Sequence, residues 1–192
     1  MHALRDLLQP ERLTSVVDIC DTDEGGAPYQ RMLDEGLCTA TLVKPGATHE
    51  GPADLLKVTG SSPPPDMRAA SETVAIHTSV SFFPDYTFGA IDANLRAQGF
   101  IAHCFADCYL TSIRTDVGVP NLDPHQLALA DLFYMLDFTK PMTVEQWKHT
   151  ALIAHHVCGS HDLAMHAVTV LAKKEVVATD APQQYLRILE TQ

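Results

Sequence analysis

The chain has 192 residues, 46% of them hydrophobic, with a formal charge of −11 at pH 7. That length suits one domain or one domain with a small appendage. The charge speaks against nucleic acid, whose phosphates call for clustered Lys and Arg, and against an anionic membrane surface. No apolar run approaches the roughly 20 residues that span a bilayer. The opening "MHALRDLLQPERL" is charged throughout and lacks the apolar centre of a signal peptide. Five cysteines, at 20, 38, 104, 108 and 158, are odd in number and scattered, unlike a secreted disulfide framework. The expectation is a cytoplasmic protein with reduced thiols.

In chain order, residues 2–13 read as a short helix, with Leu4, Leu7 and Leu8 at helical spacing and Pro10 near its end. "SVVDI" (15–19) reads as a buried strand. A helix follows from Pro28, suited to a first turn, to Gly36, suited to a C-terminal cap. "CTATLV" (38–43) and "ADLLKV" (53–58) are the next strands, the latter closed by the breakers of "TGSSPPP". "TVAIHTSVSFF" (73–83) is rich in β-branched and aromatic residues, the composition of a strand. "FGAIDANLRAQGF" (88–100) is an amphipathic helix ending at Gly99. "IAHCFA" and "LALADLFYMLDF" (127–138) supply two more strands.

From there the pattern turns helical, over 143–157, 161–174 and 182–190, with a break at Gly159-Ser160 and Ser160 in the capping position. Alternating strands and helices followed by a helical tail imply an α/β fold. The chain divides into an α/β unit over 1–139 and a C-terminal helical extension over 140–192 packed on it. Nine residues, "PGATHEGPA" (45–53), separate the second and third strands. A helical parallel crossover takes about a dozen or more. If the sheet is of the nucleotide-binding kind, an internal helix–strand–helix piece is missing.

Several segments carry a family resemblance: "LLQPERLTSVVDICDTDEGGAPYQRMLDEGLC", "ADLLKV", "TVAIHTSVSFFPDYTFGAIDANLRAQGFIAHCF" and the tail stretch "WKHTALIAHHVCGSHDLAMHAV". Together they cover about two-thirds of the chain and resemble the FkbM family of S-adenosylmethionine-dependent methyltransferases. The resemblance implies a Rossmann-like methyltransferase sheet, here truncated, with helices on its faces. It also implies where the cofactor would lie. In the family the first strand ends in a form VVDIGAN; here Asp18 and Ile19 match, but Cys20 replaces the glycine. A Cβ at that position obstructs close backbone approach. Asp21, Asp23 and Glu24 add negative charge where the cofactor's carboxylate would sit, and Gly25 and Gly26 come too late to replace the motif.

The family's second strand ends in an acidic residue before proline, which binds the ribose hydroxyls. "LVKP" places Lys44 there, and an ammonium offers donors but no acceptor. The family form LLKIDVQG becomes "LLKVTGSS", with Thr59 for the Asp, and TEVSF becomes "TSVSF", with Ser79 for the Glu. The altered positions are polar ones, while the apolar framework is kept. The resulting expectation is a methyltransferase-fold protein without cofactor or catalysis, a pseudoenzyme or interaction module. The alternative is an active O-methyltransferase that takes S-adenosylmethionine through Asp18 and the Gly25-Gly26 loop and methylates a small hydroxyl-bearing substrate.

A third reading rests on "HHVCGSH". His155, His156, Cys158 and His161 are metal-capable side chains at close spacing, although common zinc spacings are not matched. Buried or capping histidines are the competing reading. "HCFADC" is C-x3-C rather than a redox C-x-x-C, and strand alternation sets Cys104 opposite His103 and Phe105. No G-x-S-x-G elbow supports a hydrolase. The shortened sheet leaves "TVAIHTSVSFF" in need of a cover, either a second copy or partner protein, or the C-terminal helices through Leu152, Ile153, Val157, Leu163 and Val168.

Overall fold

The computed structural model describes residues 3–20, 28–44, 51, 53–58, 72–83, 87–112 and 124–191. Six strands form one sheet: β1 (Thr14–Ile19), β2 (Cys38–Val43), β3 (Leu55–Val58), β4 (Ala75–Ser81), β5 (Phe100–Thr111) and β6 (Gln126–Leu136). Their spatial order is β2-β1-β3-β4-β6-β5. β1 to β4 run parallel, while β6 pairs antiparallel with both β4 and β5. The chain leaves β1 toward β2 on one side and returns to β3 on the other. The sheet therefore has the strand-order reversal of a doubly wound, Rossmann-like fold, and the reversal lies between β1 and β3.

Six helices accompany it: α1 (Ala3–Leu8), α2 (Gln30–Asp34), α3 (Phe88–Ala97), α4 (Val144–His156), α5 (His161–Lys173) and α6 (Ala181–Glu190). Among the described residues, no helix is long and apolar enough to cross a membrane. The elements follow the sequence signals closely. Gly36 and Gly99 sit at φ +66° and +91° just past α2 and α3, conformations that disfavour a Cβ and end the helices there. α4 begins with a capping box, in which the Thr143 side chain accepts from the Gln146 backbone and the Gln146 side chain accepts from that of Thr143.

Strand alternation divides the core into two layers. Val16, Leu55, Ala75, Phe133 and Met135 face one side, where they pack with Trp147, Leu152 and Ile153 of α4, Leu163 and Val168 of α5, Tyr185 of α6, Met32 of α2 and Leu4 of α1. Val17, Leu56, Ile76, Leu132 and Tyr134 face the other, with Leu95 of α3. The tail helices are thus built into the first layer. Every large apolar side chain just named is buried. At roughly 1.5–3 kcal/mol for each fully buried aliphatic or aromatic side chain, this layer is a main source of stability.

Three sequence expectations change. β5 continues well beyond "IAHCFA", because β6 offers it an antiparallel partner along its whole length. Ser160 occupies the capping position of α5 but makes no side-chain cap; its hydroxyl donates to Asp162 Oδ1 at 2.7 Å instead. Strand alternation also fails at His103. A register shift between Ala102 and Cys104 makes His103 an extra residue on β5, so Cys104 pairs opposite Phe133 rather than a residue of Tyr134's face. The bulge brings His103 Nε2 to Ser160 Oγ of the tail at 2.8 Å and sets Cys104 against the first core layer.

Candidate functional site at the carboxyl ends of the parallel strands

In open α/β sheets, ligands settle outside the carboxyl ends of the strands, where the strand order reverses. In this chain that place is the end of β1 and β3. Asp18, Lys57 and His77 lie side by side across β1, β3 and β4, in one row and on one face. All three are largely buried: Asp18 is 3% and His77 8% exposed, and the Lys57 side chain 13%. Buried charges must be paired, and these are. Lys57 Nζ donates to Asp18 Oδ2 at 2.9 Å, and the Tyr29 hydroxyl, carried in ahead of α2, donates to the same oxygen at 2.7 Å. Burial first, and then the Asp18 carboxylate, raises the Tyr29 phenol far above its ordinary pKa, so it stays a donor.

The row has two loose ends. Asp18 Oδ1 and His77 Nδ1 are buried with no hydrogen-bond partner among the described residues. His77 stacks obliquely on Phe133, with ring centroids 4.6 Å apart, and burial lowers its pKa. It is a neutral imidazole at neutral pH. Two residues along β4, Ser79 donates to Asp131 Oδ1 of β6 at 2.5 Å. Where the family resemblance expects a carboxylate on β4, the carboxylate stands on the neighbouring strand.

The other cofactor positions are less converged. Cys20 follows β1, half-buried, its N–H bonded to the Val43 carbonyl at 3.1 Å, so it continues the β1–β2 ladder by one step. Lys44, just past β2, is exposed. Gly25, Gly26 and Thr59 lie outside the described residues, as do Asp21, Asp23, Glu24 and the proline triplet. Lys57, Tyr29 and His77 did not emerge from sequence reasoning. The available signal was Lys57, a single cation inside a short apolar strand, which seldom occurs without a buried counter-charge.

The three histidines of "HHVCGSH" stay close to one another around Tyr185. Gly159, at φ +63°, breaks the helix between α4 and α5. His155 Nδ1 meets the Tyr185 hydroxyl at 3.0 Å, and that hydroxyl lies 3.5 Å from His161 Nδ1. The His155 ring centroid is 4.5 Å from that of His156 and 5.1 Å from that of His161. Burial, reinforced by these imidazoles, lowers the His155 pKa to about 4. Cys158, in the turn between α4 and α5, packs against the first core layer. Among the described residues, no group of three or more His, Cys, Asp or Glu side chains is placed to hold a metal ion.

A second buried carboxylate closes the opposite end of the sheet. Asp54, 1% exposed, accepts from both terminal nitrogens of Arg12, at 2.5 and 3.0 Å, and from the Ser15 N–H at 2.7 Å. His149 of α4 bonds Thr14 at 3.1 Å and lies 3.8 Å from Asp54. Arg12, Asp54 and His149, with Glu72 and Glu145, line an open cavity of about 350 Å³.

No family model matches the chain, and no curated protein matches it. Among solved structures it is similar to precorrin-6y C5,15-methyltransferase from Geobacter metallireducens GS-15, with a TM-score of 0.35 and 13% identity, over 69% of this chain and 87% of that one.

Proposed function

We propose that the chain is a shortened, FkbM-like methyltransferase-fold protein that binds no S-adenosylmethionine and acts through contact rather than catalysis. One observation carries this reading: Asp18, the carboxylate at the strand-order reversal, is already engaged from within the chain by Lys57 and Tyr29 at 2.9 and 2.7 Å. A cofactor that needed this oxygen would have to displace both donors. The fit is no better at β2. Lys44 has only donors to offer where ribose hydroxyls call for an acceptor. Among the described residues, neither Asp18 Oδ2 nor Lys44 offers the cofactor a free acceptor.

In this reading residues 1–139 form the shortened α/β unit and 140–192 its helical cover. The surface left for a protein partner or a second copy is the β5–β6 region, where Phe105, Tyr109, Leu110 and Leu129 are 47–54% exposed. Exposed apolar side chains clustered on an edge strand are a contact surface in waiting.

A second reading, an active O-methyltransferase on a small hydroxyl-bearing substrate, is favoured by Asp18 Oδ1 and His77 Nδ1, two buried polar atoms without a described partner. Calorimetry with S-adenosylmethionine separates the two. No binding heat up to sub-millimolar cofactor is expected. A dissociation constant of about 10 µM, worth roughly 7 kcal/mol, would establish the second reading instead.

A further inference from the structure

Helix α1, helix α6 and the link between α5 and α6 enclose an open cavity of about 720 Å³, with Lys148 of α4 also in its lining. That volume falls in the range of roughly 300–1,000 Å³ that holds a small organic ligand. None of its lining residues belongs to the Asp18 row. Leu7, Leu8, Val177 and Ile188 give it an apolar wall, while Val176 stands 38% exposed beside them. Two unusual backbone turns shape that wall. Among the described residues, Gln9 and Glu175 are the non-glycine ones at positive φ, +45° and +57°. Gln9 lines the cavity and Glu175 directly precedes Val176. Each ends a helix in a conformation that glycine adopts more easily.

The charge of this cavity is the reverse of the chain's. Two cations, Lys148 and Arg187, line it against one acid, Asp6, in a protein of formal charge −11. Lys148 is 7% exposed. Its ammonium has three donors. One goes to the Gln9 carbonyl at 3.0 Å, and Glu145 Oε1 stands 2.7 Å away. The third has no partner among the described residues, and a buried donor left unpaired is costly. Arg187, exposed on α6, makes no hydrogen bond or ion pair with another described residue. A buried ammonium and an unengaged guanidinium thus border one apolar-walled space.

We propose that this cavity binds a small aliphatic carboxylate, held at its charged end by Arg187 and Lys148 and along its chain by Leu7, Val177 and Ile188. The guanidinium fork matches a carboxylate with two parallel hydrogen bonds, and the ammonium adds a point charge. A bare inorganic anion would leave the apolar wall wet, and a neutral chain would leave the Lys148 donor unmet. Binding makes and breaks no covalent bond. The inference does not rest on the absence of S-adenosylmethionine binding and survives either outcome of that calorimetry.

The test is titration calorimetry of the full chain with sodium octanoate, beside 1-octanol as a neutral chain and inorganic phosphate as an anion without one. One equivalent of octanoate should bind, about tenfold or more tightly than either of the others. Arg187→Gln removes the fork from an exposed position, and Val176→Asp sets a like charge at the exposed rim. Each should weaken octanoate about tenfold while the free protein keeps a native circular-dichroism spectrum. In the nitrogen-15 amide spectrum, octanoate should shift Leu7, Val177 and Ile188 and leave Lys57 and His77 in place. No binding heat at millimolar octanoate, equal binding of 1-octanol, shifts confined to other residues, or a constant indifferent to either variant overturns the proposal.

Discussion

The two ends of the sheet each bury a carboxylate, and they treat it differently. At the amino end both oxygens of Asp54 are used, Oδ1 by Arg12 and Oδ2 by Arg12 and the Ser15 N–H. The Asp54 backbone also ties β1 to the start of β4, donating to the Ser15 carbonyl and accepting from Val74 and Ala75. At the carboxyl end, Asp18 takes both its donors on Oδ2 and leaves Oδ1 without a described partner. A buried carboxylate bonded on both oxygens is a structural rivet. The carboxylate of Asp18, bonded on one oxygen only among the described residues, sits where open α/β sheets receive ligands.

The comparison can be broken most violently by removing the tail. Ending the chain after Thr139 takes away Trp147, Leu152, Ile153, Leu163 and Val168 together with His149, one side of the first core layer and part of the amino-end network. Aggregated or insoluble protein is expected on expression. A soluble, monomeric fragment that unfolds cooperatively would show that the amino end closes without α4.

Replacing each carboxylate by its amide sharpens the contrast. In Asp18→Asn the carbonyl still accepts from Tyr29 and Lys57, but Lys57, its side chain 13% exposed, loses its counter-charge in a buried place. About 3–5 kcal/mol is expected there. In Asp54→Asn one amide nitrogen must face the Arg12 donors, but Arg12, 35% exposed, keeps Glu72 as a counter-charge, and the cost is about 2–3 kcal/mol. Urea unfolding of both variants measures the order, and equal losses would erase the distinction between the two ends.

The smallest expected effect is a pH dependence shared by both ends. Burial is the largest cause lowering the pKa of His149 beside Asp54, of His77 in the Asp18 row and of His155 under α6. A histidine whose folded pKa is depressed binds its proton more readily when unfolded. Stability therefore falls as pH drops below the usual value near 6.5, and for His155 continues to fall down to about 4. His155 alone contributes a loss of about 2 kcal/mol between pH 7 and pH 5. Urea midpoints at these two pH values should show the drop, and His155→Gln should flatten it. Equal stability at both pH values would mean that these imidazoles reach solvent in the folded chain.

Most elements were legible because their causes are local. β-branched runs mark β1 and β4, and the glycines after α2 and α3 mark where those helices end. The site was legible only in part. Asp18 stands out in the sequence as the polar residue closing an apolar strand, but its partners lie 11 and 39 residues away. Neither distance follows from any local period.

The amino-acid sequence by itself determined the alternation of strands and helices and the helical tail. Periodicity, breakers and side-chain chemistry act within a few residues, and each can be read there. Only the tertiary structure decided that Lys57 neutralises Asp18, that Arg12 and His149 gather around Asp54, and that His103 meets Ser160. These pairings depend on sheet register, and at His103 on an extra residue in β5. Register is settled between residues far apart in sequence, and an inserted residue changes which face its neighbours present.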